Sequence, residues 1–245
     1  MHARRRSKRR LSGKVALVTG ASRGIGLAIA RALANEGCNL VLAGRTLSAL
    51  EKAARRLARH KVHVLTKICD VRDPHAVRAL AASVKKQFPR VDILINNAGI
   101  AHPNLPVAEL PYHAWKAVID TNLTGTFLVT REILPLMRRG STIVNNLSIA
   151  ATRVFAGSAA YNASKHGALG LTNTLREELR PKGIRVITLL PGATDTEIWD
   201  TFWPKAPRKK MMSPDTIAEA LMGALLLPAD STVEELTILP TGGTL

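Results

Sequence analysis

The residue order predicts an α/β protein: a single domain in which a seven-stranded parallel sheet is covered by helices on both faces. Three observations carry this expectation. Short apolar runs rich in Val, Ile and Leu recur seven times, the composition of strands buried on both faces rather than half-exposed. Longer stretches with apolar residues at helical spacing separate them, and such an alternation builds parallel crossovers. No internal repeat or low-complexity linker interrupts it, and 245 residues suffice for one α/β domain with a large core.

Strands are expected at 15–19, 39–43, 62–68, 91–96, 141–147, 184–190 and 235–239. Helices are expected between them at about 24–36, 46–60, 73–87, 113–138, 157–180 and 213–227. The third opens with Asp73 as a cap and Pro74 in the first turn, where a missing N–H costs nothing. One stretch, 192–212, fits neither pattern. Gly192, Pro204 and Pro207 break it up, yet it carries Trp199, Phe202 and Trp203, which make either a local core or a lid over a substrate.

Bulk properties exclude several classes. No apolar run approaches the ~18 residues needed to cross a bilayer. The two cysteines, Cys38 and Cys69, lie in apolar segments, which suggests neither a disulfide framework nor a metal site and fits a reducing, cytoplasmic setting. The seven histidines show no metal-ligand spacing, and no metal is expected. The formal charge of +17 is the unusual quantity. Seven basic residues and no acid fall within the first fourteen positions, so residues 1–12 read as a basic, solvated tail and 13–245 as the domain. Attraction of that tail to nucleic acid, an anionic membrane or an acidic protein is the alternative use of the charge.

The first strand runs into Gly20-Ala21-Ser22-Arg23-Gly24-Ile25-Gly26 and then into a helix. Glycines there allow a tight turn and close approach of backbone to a pyrophosphate, and the helix start offers N–H donors. A dinucleotide site of Rossmann type is therefore expected. A site preferring NAD carries an acid ~20 residues further on, at the end of the second strand. Here that place reads Gly44-Arg45-Thr46. No carboxylate would repel a 2′-phosphate, and Arg45 and Arg23 suit one, so NADP(H) is the expected cofactor. Asp70, with Val71 beside it, follows the third strand and either borders the adenine or merely caps a turn.

Tyr161 and Lys165 are four residues apart on an expected helix, so they project from one face. An ammonium beside a phenol favours the phenolate and brings its pKa toward a useful range. Alone the pair means little. Taken with Ser148 thirteen residues before Tyr161, the glycine-rich turn, Asn96-Asn97-Ala98-Gly99, Asn122, and Pro191-Gly192 followed by Thr196, it makes residues 13–243 resemble the short-chain dehydrogenase/reductase family, and within it the 3-oxoacyl-carrier-protein reductases.

That resemblance implies a doubly wound Rossmann fold and hydride transfer between nicotinamide and a carbonyl or alcohol. It implies that Tyr161 is the general acid/base, that Ser148 bonds the substrate oxygen, and that Lys165 lowers the Tyr161 pKa and bonds the nicotinamide ribose. Asn122 would hold a water that resupplies protons to Lys165. Asn97, Ala98 and Gly99 would line the adenosine side, while Pro191, Gly192, Thr194 and Thr196 would meet the nicotinamide. It further implies a homodimer or homotetramer joined through the helices at 113–138 and 157–180, and a small carbonyl or acyl-thioester substrate; the basic surface would suit an acidic carrier protein or a coenzyme A thioester, with Arg138, Arg139 and Lys182 expected on loops on or near the substrate side. Nucleic acid is not the expected partner; a regulatory or nucleic-acid-binding protein with little turnover is the competing reading. His102 is a candidate for the pocket border.

Overall fold

The computed structural model of the protein describes residues 9–244. Strand β1 (Val15–Thr19) lies inside a sheet of seven parallel strands ordered β3-β2-β1-β4-β5-β6-β7. The others are β2 (Asn39–Gly44), β3 (Val64–Ile68), β4 (Ile93–Asn96), β5 (Thr142–Asn146), β6 (Arg185–Pro191) and β7 (Glu235–Ile238). Alternation along β1 explains the two cores. Ala16 and Val18 face helices α1 (Gly24–Asn35), α2 (Leu47–Leu57) and α8 (Pro214–Leu225), whereas Val15 and Leu17 face α3 (Pro74–Gln87), α5 (Gly125–Ile133) and α6 (Ala159–Leu179). Both sets of side chains are buried, as a sheet covered on both faces requires.

The expected cap on α3 is present: the Asp73 carboxylate accepts from the His75 N–H at 2.8 Å. The helix expected at 113–138 is interrupted. It comprises α4 (Tyr112–Ile119), one π-helical turn (Asp120–Thr124) and α5, followed by a 3-10 turn. Periodicity reads an uninterrupted apolar face there because a π turn inserts a single residue's worth of rotation; such turns cluster at functional positions, and this one carries Asn122.

Of the segment read as a solvated tail, residues 9–12 are docked on the domain. Leu11 is buried in the core, its N–H bonds to the Glu36 carbonyl, and Arg9 Nη1 donates to the His60 carbonyl. The apolar side chain of Leu11 outweighs the surrounding charge, a point composition alone hides; residues 1–8 lie outside the described residues. No helix among the described residues is long and apolar enough to cross a membrane.

Candidate active site

The chain leaves β1 toward β2 and β3, then returns to the other side of β1 to build β4 through β7. The reversal opens a crevice between the carboxyl ends of β1 and β4, where an open α/β sheet binds ligands. Polar side chains stitch its floor. Thr19 Oγ1 accepts from the N–H groups of Asn97 (2.9 Å) and Ala98 (3.0 Å), and Asn97 Nδ2 donates to the Thr19 carbonyl at 2.9 Å. Asn146 Nδ2 donates to Asn97 Oδ1 at 2.8 Å, joining β5 to the same floor. The crevice widens into a cleft of about 860 Å³.

At one end lies the glycine-rich turn. Gly20 and Gly24 hold φ values of +63° and +53°, a region a side chain rarely adopts. Gly26 is set by packing, since a Cβ there would sit 2.4 Å from both the Gly20 carbonyl oxygen and Asn97 Nδ2. Arg23 precedes α1 with extended backbone and offers no side-chain cap. The first-turn N–H groups of α1 thus keep donors for an anion. Arg23 and Arg45 are exposed at this end, and Gly20, Ser22, Arg23, Gly24, Ile25, Arg45 and Thr46 all line the cleft.

Asp70 and Val71 line it too. The Asp70 carboxylate caps the turn, accepting from the Arg72 N–H at 3.0 Å, and the Arg72 guanidinium grips both its oxygens. That grip, with Arg45 adding a smaller attraction, holds its carboxyl below the usual carboxylate range. Cys69 beside it also lines the cleft, but burial pushes its thiol up to about 11, so it is not a nucleophile near neutral pH.

At the other end Ser148, Tyr161 and Lys165 converge. Ser148 follows β5 and accepts from the Ala150 N–H at 3.1 Å, which orients its hydroxyl. The Lys165 ammonium stands 5.5 Å from the centre of the Tyr161 ring and donates to the Asn146 carbonyl at 3.3 Å. It is 6% exposed and has no carboxylate partner among the described residues, and burial lowers its pKa to about 8. Burial likewise raises the Tyr161 phenol above its ordinary value, and a hydrogen bond with Ser148 acts the other way. The expectation that the ammonium lowers the phenol's pKa is thus not met in the protein alone. Desolvation disfavours charge on both groups, which leaves Tyr161 a neutral proton donor.

Asn122 and Gly26 do not line the cleft; both lie directly beneath it. Asn122 is 2% exposed, its Oδ1 accepting from the Ile100 N–H and its Nδ2 donating to the Ile100 carbonyl, each at 2.9 Å, and to Ser164 Oγ at 3.0 Å. It pins the backbone after Gly99, where a Cβ would come within 3.8 Å of Lys165 Nζ. Asn97, Ala98, Gly99, Pro191, Gly192, Thr194 and Thr196 all line the cleft.

The stretch 192–212 forms a wall of this end. Its core is a short helix, α7 (Ile198–Phe202), that the glycine and prolines conceal from sequence reading. Trp199, Phe202 and Trp203 all line the cleft and also pack on one another, with ring centres 5.5 and 6.4 Å apart, so they are at once a local cluster and a wall of the pocket. Phe155, Asn146 and Glu197 also line it and were not singled out from the sequence. Asn146, two residues before Ser148, offered a positional signal; Phe155 and Glu197 offered none. Two expectations fail. His102 is buried but outside the cleft, its Nδ1 against the Pro103 carbonyl. Arg138, Arg139 and Lys182 sit at the amino ends of β5 and β6, with Gly140 N–H bonding the Gly183 carbonyl, hence at the edge of the sheet opposite the cleft. Their position in loops is legible in the sequence, but which end of the sheet a loop serves is not.

Comparison with known proteins agrees with this geometry. The family model for short chain dehydrogenases matches residues 14–207. An uncharacterised oxidoreductase of Staphylococcus saprophyticus is 40% identical over 234 residues, covering 94% of this chain and 98% of the relative. Among solved structures, an alcohol dehydrogenase from the archaeon Thermococcus sibiricus complexed with 5-hydroxy-NADP superposes with a TM-score of 0.87 at 34% identity, covering 93% of this chain and 97% of the other. A 3-ketoacyl-(acyl-carrier-protein) reductase from Brucella melitensis complexed with NADH superposes with a TM-score of 0.85 at 29% identity, covering 94% and 98%. The chain belongs to the short-chain dehydrogenase family. It is an oxidoreductase with a single seven-stranded, doubly wound domain.

Proposed function

We propose that the protein is an NADP(H)-dependent reductase of carbonyl compounds, running in reverse as an alcohol dehydrogenase, with Tyr161 as its general acid/base. One observation carries the reading: Ser148, Tyr161 and the buried Lys165 meet at one end of a cleft whose other end is a glycine cradle flanked by two arginines. The residues fit a dinucleotide. Gly26 is closed to any side chain, the first turn of α1 is uncapped, and a lysine lies buried with a backbone carbonyl as its one acceptor among the described residues.

Gly20, Ser22, Gly24 and Ile25 would receive the pyrophosphate, and Arg23, Arg45 and Thr46 the 2′-phosphate, which favours NADP(H) over NAD(H) even though one solved relative is complexed with NADH. Asp70, Val71, Asn97, Ala98 and Gly99 would border the adenosine. Pro191, Gly192, Thr194 and Thr196 would meet the nicotinamide, whose hydride is the cofactor's contribution to the chemistry. Lys165 would bond the adjoining ribose.

In the direction of reduction, Ser148 donates to the substrate carbonyl oxygen and Tyr161 delivers its proton there as negative charge builds. A phenol kept neutral by burial suits that task. Lys165 remains ammonium below about pH 8 and restores the proton. Asn122 has its side chain committed to Ile100 and Ser164, so it acts as a positioning residue that holds the backbone under Lys165, and a proton-relay water would rest on other atoms than its amide. The helices α4, α5 and α6 are the candidate surfaces for a homodimer or homotetramer, and a cytoplasmic setting suits the cofactor.

The test is consumption of NADPH with a panel of carbonyl compounds. Tyr161→Phe is expected to bind NADPH normally, by fluorescence titration, and to lose about 100- to 10,000-fold in kcat. Near-normal turnover by this variant removes the proton-transfer role.

A further inference from the structure

The cleft is electrically divided. Its charged lining residues are Arg23, Arg45, Asp70, Lys165 and Glu197. The first three belong to the glycine-cradle end, Glu197 reaches back to within 3.7 Å of a Cβ position on Gly24, and Lys165 lies on the floor beneath the phenol. Beyond Tyr161 and Ser148 the walls are mainly Ile149, Phe155, Ile198, Trp199 and Phe202, with the neutral polar Asn104 and Thr201 beside them and no Arg, Lys or His of the described residues among the lining there. A carboxylate or phosphate brought into such surroundings loses its hydration and gains no cation in return. An apolar group gains roughly 25 cal/mol for each Å² covered.

The aromatic wall is also held in place. Trp199 Nε1 donates to the Thr194 carbonyl at 2.9 Å, and its ring meets Phe202 edge-on with centres 5.5 Å apart. Phe202 in turn lies 5.9 Å from the Tyr161 ring. A group stacked on Phe202 is therefore presented beside the phenol. Behind the wall, Arg208 donates to Asp195 Oδ1 (2.6 Å), the Thr196 carbonyl (2.6 Å) and Asp200 Oδ1 (2.5 Å). Its charge is spent on two carboxylates of its own loop rather than offered to a substrate anion. The base of the loop is tied by Asp195 N–H to the Met212 carbonyl and Met212 N–H to the Ala193 carbonyl. A wall ordered before binding loses little freedom on binding.

Resting on the reductase reading above, we infer that the substrate is an uncharged ketone bearing a bulky apolar group, best an aryl ring, selected by Trp199, Phe202 and Phe155, and that carboxylate-bearing carbonyls and coenzyme A thioesters are rejected. The full chain with saturating NADPH is assayed on acetophenone, on benzoylformate, which keeps the ring and adds a carboxylate, on acetoacetyl coenzyme A and on butanone. The expected order puts acetophenone first, with kcat/KM about 100-fold above benzoylformate and the thioester. Trp199→Ala should lower kcat/KM for acetophenone about ten-fold more than for butanone, mainly through KM. Benzoylformate or the thioester turned over as well as acetophenone would overturn the inference.

Binding is read separately through tryptophan fluorescence of the NADP⁺-loaded chain. Acetophenone should quench it, benzoylformate should not, and Trp199→Phe should abolish the quench. If no carbonyl is turned over but this pattern holds, the reduction reading fails and the selectivity stands. Equal quenching by both ligands, or none by acetophenone, overturns the selectivity itself.

Discussion

The two ends of the cleft are built by opposite strategies. The glycine-cradle end stands on strand termini and the start of α1, with backbone as its working surface; the aromatic end stands on a loop and the short helix α7, with side chains as its surface. Rigid main chain can recognise a constant ligand, whereas side chains on a loop can vary with the substrate while the scaffold stays the same. The lesson is that alterations should be unforgiving at the first end and graded at the second.

Gly26→Ala attacks the first end most directly. The added methyl would meet the Gly20 carbonyl oxygen and the Asn97 amide at 2.4 Å, and one of these is backbone. Overpacking of this kind costs about 3 kcal/mol, roughly 6–12 °C in Tm for a chain of this size, and NADPH binding should be lost with it. Calorimetry with and without NADPH checks both; an unchanged Tm would show that the turn gives way easily.

Lys165→Met probes the junction of the two ends and should act in opposite directions on stability and turnover. The folded pKa of about 8 lies below the unfolded value near 10.5, so the unfolded chain holds more protons between these limits and stability rises with pH across that window. Below about pH 8 the full penalty of the buried ammonium applies, on the order of 3 kcal/mol. The variant is expected to be more stable than the parent by roughly that amount at pH 7, with the gap closing by about pH 10.5, while turnover is lost. Denaturant unfolding at several pH values reads it, and a less stable variant at pH 7 would refute the desolvation account.

Arg45→Asp should shift the NADPH to NADH preference by about 10- to 100-fold toward NADH, since an acid there repels a 2′-phosphate. An unchanged ratio of kcat/KM values would remove the NADP(H) assignment. Arg208→Ala is the mildest alteration: it frees Asp195 and Asp200 and loosens the aromatic wall. KM for an apolar ketone should rise a few-fold, about 1 kcal/mol in partly exposed ion pairs, with kcat and NADPH affinity little changed. A large kcat loss would mean that the loop shapes the reacting centre rather than the pocket.

The difference between the ends also explains what was readable in advance. The inner strands were legible because strands buried on both faces must be apolar, the half-exposed edge strands β3 and β7 by their place in the strand–helix alternation, and Gly20, Gly24 and Gly26 because backbone geometry there tolerates little else. Helical spacing puts Tyr161 and Lys165 on one face, but they stood out only together with Ser148 and the glycine-rich turn at the spacing the resemblance rests on. The π turn at Asn122 was not, since it is a single turn between two helical stretches and carries no breaker residue to mark it. Neither was α7, five residues long and flanked by breakers, nor the docking of Leu11 amid arginines. Arg138, Arg139 and Lys182 were assigned to the wrong end of the sheet because a loop's composition carries no record of the direction its strand runs.

By itself, the sequence determined the layered fold, the glycine cradle and the placing of Tyr161 and Lys165 on one helix face, since periodicity and backbone sterics are local properties. Tertiary structure alone decided that burial would raise Tyr161 and lower Lys165, that Arg208 would spend its charge on Asp195 and Asp200, and that Trp199 and Phe202 would wall the pocket. Desolvation, ion pairing and cavity shape depend on which distant segments meet, and that is settled only when the chain has packed.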